Sequence, residues 1–175
     1  PTPQRSADMI IKGGFLTMGT KRIGLARVEA LLENLKREIK YGAGTSVGGA
    51  KRIVESITAA KTLVEGDSGK VFAIDADSGA YDITLPANAT TGWYATFLMA
   101  DVHGSNDIDI VAATADTIEG VLVDASPTNM SAADKITFVG GTSVLGDQVE
   151  IVSTDGTTWF ARAYSGANGG ITATG

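Results

Sequence analysis

The chain contains no cysteine and a single histidine, His103, and only 6% of its residues are aromatic. Without cysteine there can be no disulfides, thiolate zinc sites, iron–sulfur ligation or cysteine nucleophiles. One imidazole rules out any site built on two. No apolar run approaches the length of a membrane-spanning helix, and no basic-then-apolar leader opens the chain, so no membrane partner is expected. Charged residues make up 19% of the 175 residues against 43% hydrophobic ones, too apolar a balance for a mostly disordered chain. The length allows one core with an appended arm, and the poverty of catalytic side chains points to a protein that binds rather than an enzyme.

What charge there is lies unevenly. Residues 1–64 carry eleven basic side chains against five acidic ones, a net +6, whereas residues 65–175 carry three against fifteen, a net −12. The two halves together give the chain's −6. Such asymmetry marks two parts that work in different surroundings.

Residues 1–19 read as an extended arm. Pro1 and Pro3 oppose helix, and Gly13, Gly14 and Gly19 interrupt the remainder of the segment. Between these breakers stand Met9, Ile10, Ile11, Phe15, Leu16 and Met18, which an arm this short cannot bury against itself. They are expected to pack on another subunit or another protein, with Arg5 and Lys12 beside them. Residues 20–41 have a helical pattern: Leu25, Val28, Leu32, Leu35 and Ile39 follow spacings of 3, 4, 3 and 4, the seam of a coiled coil. Thr20 can cap its start and Gly42 stands where a helix-terminating glycine belongs. A narrow seam of this period favours a self-associating bundle over one helix packed on its own domain. So short a helix is marginal alone and needs partners.

Residues 42–64 read as a linker and a short connecting element. The stretch 42–50 is glycine-rich and flexible by composition, and residues 51–64 fit either a short helix or a strand. From Glu65 onward the pattern is β. Strands are expected at 70–75, 80–85, 92–100, 107–112, 117–123, 134–139, 147–153, 157–164 and 170–174, separated by turn clusters that include Asp155-Gly156 as a hairpin. The expected fold class is therefore mainly β: a β-sandwich or jelly-roll-like domain over 65–175, preceded by the extended arm and one short coiled-coil-like helix.

Several local patterns resemble chemical sites and fail on detail. Residues 44–51 look like a phosphate loop, but Ala50 stands where the required lysine should come directly after the second glycine. Asp75 and Asp77 open with the rhythm of a calcium loop whose twelfth position is Pro86, which has no side-chain oxygen. Asp101, His103, Asp107 and Asp109 could hold a cation, yet are equally ordinary turn residues. Trp93 and Trp159 sit in apolar strands and are expected to anchor the core or an interface. The basic helix lacks interleaved aromatics, so an acidic protein surface suits it better than nucleic acid. No motif points to catalytic residues, a cofactor or a metal.

One resemblance covers most of residues 18–174. The segment 63–86, L-V-E-G-D-S-G-K-V-F … Y-D-I-T-L-P, resembles an opening common in virion structural proteins of tailed bacteriophages. The later T-I-E-G (117–120), G-D-Q-V-E-I-V-S (146–153) and D-G-T-T-W (155–159) match the subsequent strands of that pattern. M-G-T-K-R-I (18–23) and E-A-L-L-E-N-L-K-R-E-I (29–39) are similar to the module that precedes it in marine phage proteins. The resemblance implies a head decoration (cement) protein. Such proteins are typically homotrimers bound to the major capsid protein on the outer capsid surface, gripping the shell by an arm. Arg5, Met9, Ile10, Ile11, Lys12, Phe15 and Leu16 would then be the capsid-binding residues, and Leu25, Val28, Leu32, Leu35 and Ile39 the trimer seam. Related modules occur in tail and head fibres, so a host-surface glycan is the alternative partner.

Overall fold

The computed structural model describes residues 27–34, 51–75, 79–101 and 104–175, which fall in two units, one ending at Lys51 and the other running from Arg52 to Gly175. Within the first unit, residues 27–34 form helix α1. Val28, Leu31 and Leu32 recur at three- and four-residue spacing, which stacks them on one side of the helix. All three are exposed, at 52%, 66% and 51%. Leu31 lies beside the seam read from the sequence, so the apolar face is wider than the seam alone. No helix among the described residues is long and apolar enough to cross a membrane.

The second unit is a sandwich of two mixed sheets. Its strands are β1 (Val54–Ile57), β2 (Lys61–Thr62), β3 (Val71–Ile74), β4 (Tyr81–Thr84), β5 (Tyr94–Met99) and β6 (Ile108–Val111), then β7 (Thr117–Val123), β8 (Thr128–Ala133), β9 (Lys135–Phe138), β10 (Gln148–Ser153), β11 (Thr158–Tyr164) and β12 (Ile171–Thr174). Seven of them form one sheet in the order β1-β3-β5-β10-β11-β7-β8, and five form the other in the order β12-β9-β6-β4-β2. Strands β1 to β6 alternate between the sheets, so within this run each strand pairs in parallel with the one two places on in the chain.

All nine strands expected from the sequence are present, and several, β10 and β11 among them, alternate buried and outward residues with the period of a half-buried strand. In β11, Trp159, Ala161 and Ala163 are buried, while Phe160, Arg162 and Tyr164 point outward. The sandwich core joins side chains of both sheets, among them Phe72, Ile74, Phe97, Val149 and Ile151 from one and Ile83, Ile108, Ile110, Ile136 and Phe138 from the other. Trp93 and Trp159 meet edge-to-face in this core at 5.4 Å, and Phe72 stacks on Phe97 at 5.3 Å. Tyr81 bridges the sheets: its hydroxyl lies 2.7 Å from the carbonyl oxygens of both Ile57 and Asp75, to which it can donate. Burial, opposed by the Asp75 hydrogen bond, pushes its phenol up to about 12.

Two departures from the sequence reading concern its edges. Residues 51–64 contain strands, and β1 and β2 are integral to the two sheets, so the sandwich begins at Arg52 and not at Glu65. Ile57 and Leu63 are buried in its core, which ties this segment to the later strands. The division moves the charge split to +5 for residues 1–51 and −11 for 52–175. Strand β8 was not expected, since T-N-M-S-A-A offers one large apolar residue, Met130, and little intrinsic strand preference. It forms as an edge strand on β7, with the pairing interrupted by a bulge between Ile118 and Gly120. At that bulge Gly120 has φ +152, and a Cβ there would fall 1.9 Å from the Ala161 carbonyl oxygen. Only glycine fits.

Candidate functional site

The residues singled out in the sequence divide sharply. Arg5, Met9, Ile10, Ile11, Lys12, Phe15 and Leu16 of the arm lie outside the described residues, as do Leu25, Leu35 and Ile39 of the seam. Val28 and Leu32 are on α1 with half their surface exposed. An α-helix that leaves three adjacent large apolar side chains uncovered presents a surface suited to another chain.

The loop acids serve the fold. The Asp109 carboxylate accepts from Lys135 Nζ at 2.6 Å and from the Thr137 hydroxyl, and Asp107 accepts the Gly140 backbone N–H at 2.7 Å. The hydrogen bond from Lys135 to Asp109 holds the ammonium above its usual range. His103 lies outside the described residues, as do residues 76–78. Among the described residues no group of three or more histidines and carboxylates is placed to hold a metal ion. Asp155 caps the β10–β11 hairpin: the Thr157 and Thr158 backbone N–H groups donate to it and hold its carboxyl at about 2.

The feature that sequence reading missed is a groove of about 590 Å³ on the outer face of the seven-stranded sheet. Strand pairing assembles it. Across β5, β10 and β11 the outward residues form rows: Tyr94 opposite Val152 and Val152 opposite Phe160, then Thr96 opposite Glu150 and Glu150 opposite Arg162. Val121 of β7 continues the second row beyond Arg162. Arg52, shortly before β1, reaches in from the other side, where its Nη1 donates to Thr96 Oγ1 at 3.3 Å. The second row thus carries a carboxylate flanked by guanidinium-bearing residues, with exposed Tyr94 (49%) and Phe160 (46%) in the row beside it.

The charges of this groove differ from those elsewhere on the sandwich. Lys61 pairs with Glu55, Lys70 with Glu55 and Asp67, and Lys135 with Asp109. Among the described residues neither Arg52 nor Arg162 is in an ion pair. Buried Asp147, beneath a second and smaller depression, is likewise fully engaged. It accepts the Val144 and Gly166 backbone N–H groups at 3.0 and 2.8 Å and faces the Ser143 and Ser165 hydroxyls at 2.9 Å.

Alternation along single strands signals that Tyr94, Thr96, Glu150, Phe160 and Arg162 face outward. Their convergence requires knowing that β5, β10 and β11 are neighbours, although residues 100–147 separate β5 from β10 in the chain. In comparison with known proteins, no family model matches this chain and no curated protein is similar to it.

Proposed function

We propose that this protein is a decoration protein of a phage head: a homotrimer that binds the major capsid protein on the outer surface of the assembled shell and stabilises it. The observation that carries the reading is the exposed face of α1, where Val28, Leu31 and Leu32 stand uncovered in a chain whose sandwich has its own complete core. A domain that builds its own core from both sheets, joined to a helix whose apolar face stays uncovered, suits a part whose task is to hold chains together. The motifs of residues 18–39 and 63–159 support the same reading through their resemblance to virion structural proteins.

In this account the arm supplies the grip. Burying Met9, Ile10, Ile11, Phe15 and Leu16 against the shell gives several kcal/mol per subunit before ordering costs, at about 25 cal/mol per Å² of apolar surface. A trimer presents three arms at once, and the high effective concentration of the second and third multiplies the affinity. Arg5 and Lys12 add steering toward acidic loops of the shell. The −11 sandwich faces solvent, where like charge between neighbouring copies keeps them apart. The test is occupancy on purified shells. The full chain binds, a variant lacking residues 1–19 does not, and both show the same β-sheet circular dichroism; equal occupancy of the two would refute the proposal.

A further inference from the structure

Among the described residues, the other charged clusters of the sandwich are closed. The Glu55–Lys61–Asp67–Lys70 group, the Asp109–Lys135–Thr137 group and the Asp147 hub each satisfy their members internally. The groove on the seven-stranded sheet is open in this sense. Glu150 is a pure acceptor, while Arg52 and Arg162 are pure donors. Among the described residues none of the three is in an ion pair, although Glu150 and Arg162 occupy directly opposite positions on adjacent strands.

The chemistry of that row selects its ligand. A flat apolar partner would strip water from a carboxylate and two guanidiniums and return nothing, which is costly. A strongly anionic ligand would meet Glu150. A hydroxyl group both donates and accepts, so a row of neighbouring hydroxyls can satisfy Glu150 and both arginines together. Tyr94 and Phe160 add apolar surface two strand spacings apart, about 9–10 Å, a separation that suits alternate rings of an extended linked saccharide. Sugar rings combine hydroxylated edges with C–H faces that stack on aromatic side chains. The volume of about 590 Å³ lies within the range of ligand sites.

The rim is also set in place before any ligand arrives. The Tyr94 hydroxyl lies so close to Gly69 that a Cβ there would be 3.3 Å away, and the Gly69 N–H donates to the Tyr94 carbonyl at 2.7 Å. A side chain at residue 69 would push the ring. Thr96, in the row with Glu150, is buried and is held by Arg52.

We propose that the outer face of the seven-stranded sheet is a carbohydrate-binding groove, in which Arg52, Glu150 and Arg162 hydrogen-bond sugar hydroxyls and Tyr94 and Phe160 stack on sugar rings. Every residue lining the groove belongs to the second unit; resting on the trimer proposed above, each assembly carries three such grooves and binds surface glycans with avidity.

The experiment is a printed array of neutral, amino-sugar and uronic-acid oligosaccharides probed with the full chain, followed by calorimetry on the best responder. Binding is expected for at least one sugar class. Phe160→Ala and Glu150→Gln, both at exposed positions, should each weaken it about tenfold or more, whereas Leu145→Ala outside the groove should leave it unchanged. No response on the array would overturn the proposal, and so would a response that neither groove variant alters. Light scattering on the same variants tests the competing occupant: a lower molecular mass for Phe160→Ala would make this face a contact between copies and would refute a glycan site. Shell occupancy by Phe160→Ala and Glu150→Gln should match that of the parent chain, which separates failure of this site from failure of the shell-binding reading.

Discussion

Replacing Leu32 by glutamate tests whether the exposed face of α1 joins chains together. Glutamate is as good a helix former as leucine to within a few tenths of a kcal/mol, so the substitution changes the face and spares the helix. Leu32 and Val28 are 51% and 52% exposed in the single chain, and Leu31 66%. Full burial of such a side chain contributes about 1.5–3 kcal/mol, so covering the exposed half of Leu32 contributes about 1 kcal/mol per copy. In a trimer that makes about 3 kcal/mol from this one position. Glutamate forfeits it and forces three carboxylates into a contact shielded from water, at a cost of at least about 1 kcal/mol each. The combined loss of about 6 kcal/mol raises the dissociation constant by about four decades. Sedimentation equilibrium over a range of concentrations should therefore find one trimeric species for the parent chain and monomer for Leu32→Glu, with unchanged sheet content by circular dichroism. A parent chain that is monomeric throughout, or a Leu32→Glu variant with the parent's mass, would refute the reasoning.

The remaining predictions concern the sandwich. Asp147→Ala leaves the Val144 and Gly166 N–H groups and two hydroxyls without their acceptor. It should destabilise the domain by about 3–4 kcal/mol, or about 12–16 °C in Tm for a unit of this length, whereas Asp147→Asn keeps one acceptor and should cost about half as much. Equal Tm values for the two variants in thermal denaturation would show that the carboxylate is not the hub. Acid stability should depend on Lys70. Hydrogen bonds from Lys61 and then from Lys70 hold the Glu55 carboxyl below its usual value; for Asp67 burial pulls upward, but Lys70 and the Val64 N–H prevail and the result is again a lowered value. Groups with depressed folded values stabilise above their unfolded values of 4.5 and 3.8 and lose that contribution as pH falls through the lower folded ones. Lys70 itself, raised by Asp67 and Glu55, stabilises below 10.5 and loses its contribution as pH rises through its higher folded value. Lys70→Met should accordingly flatten both the acid and the alkaline limbs of a urea-midpoint-versus-pH curve. Limbs of unchanged steepness would contradict the assignment.

The sequence made most of the sandwich legible because nine of its strands bury one face, and a period of two then shows in the apolar residues. Strand β8 escaped because only Met130 and Ala133 tie it to the core, two residues three apart that show no period of two, and pairing along β7 holds the rest. The start of the domain was misplaced for a different reason. Net charge drew the boundary near Glu65, but Arg52, Glu55 and Lys61 belong to the sandwich, where Glu55 and Lys61 pair with each other. The groove could not be read at all from the linear chain. Its residues look like ordinary solvent-facing positions on three strands, and only the order β5-β10-β11 brings Tyr94, Glu150, Phe160 and Arg162 onto one patch. On α1 the reverse holds: seam spacing named Val28 and Leu32 from the sequence, while Leu31 had to be added from the structure.

The proposed shell-binding role is tested most directly by imaging an intact particle. An image of the virion with its symmetry resolved should show this chain as protruding densities on the outer shell. They should sit at positions of local or strict threefold symmetry, with three arms spread over the capsid protein and the sandwiches outermost. Density for the chain confined to the tail or to fibres, or absent from the shell, would contradict the proposal.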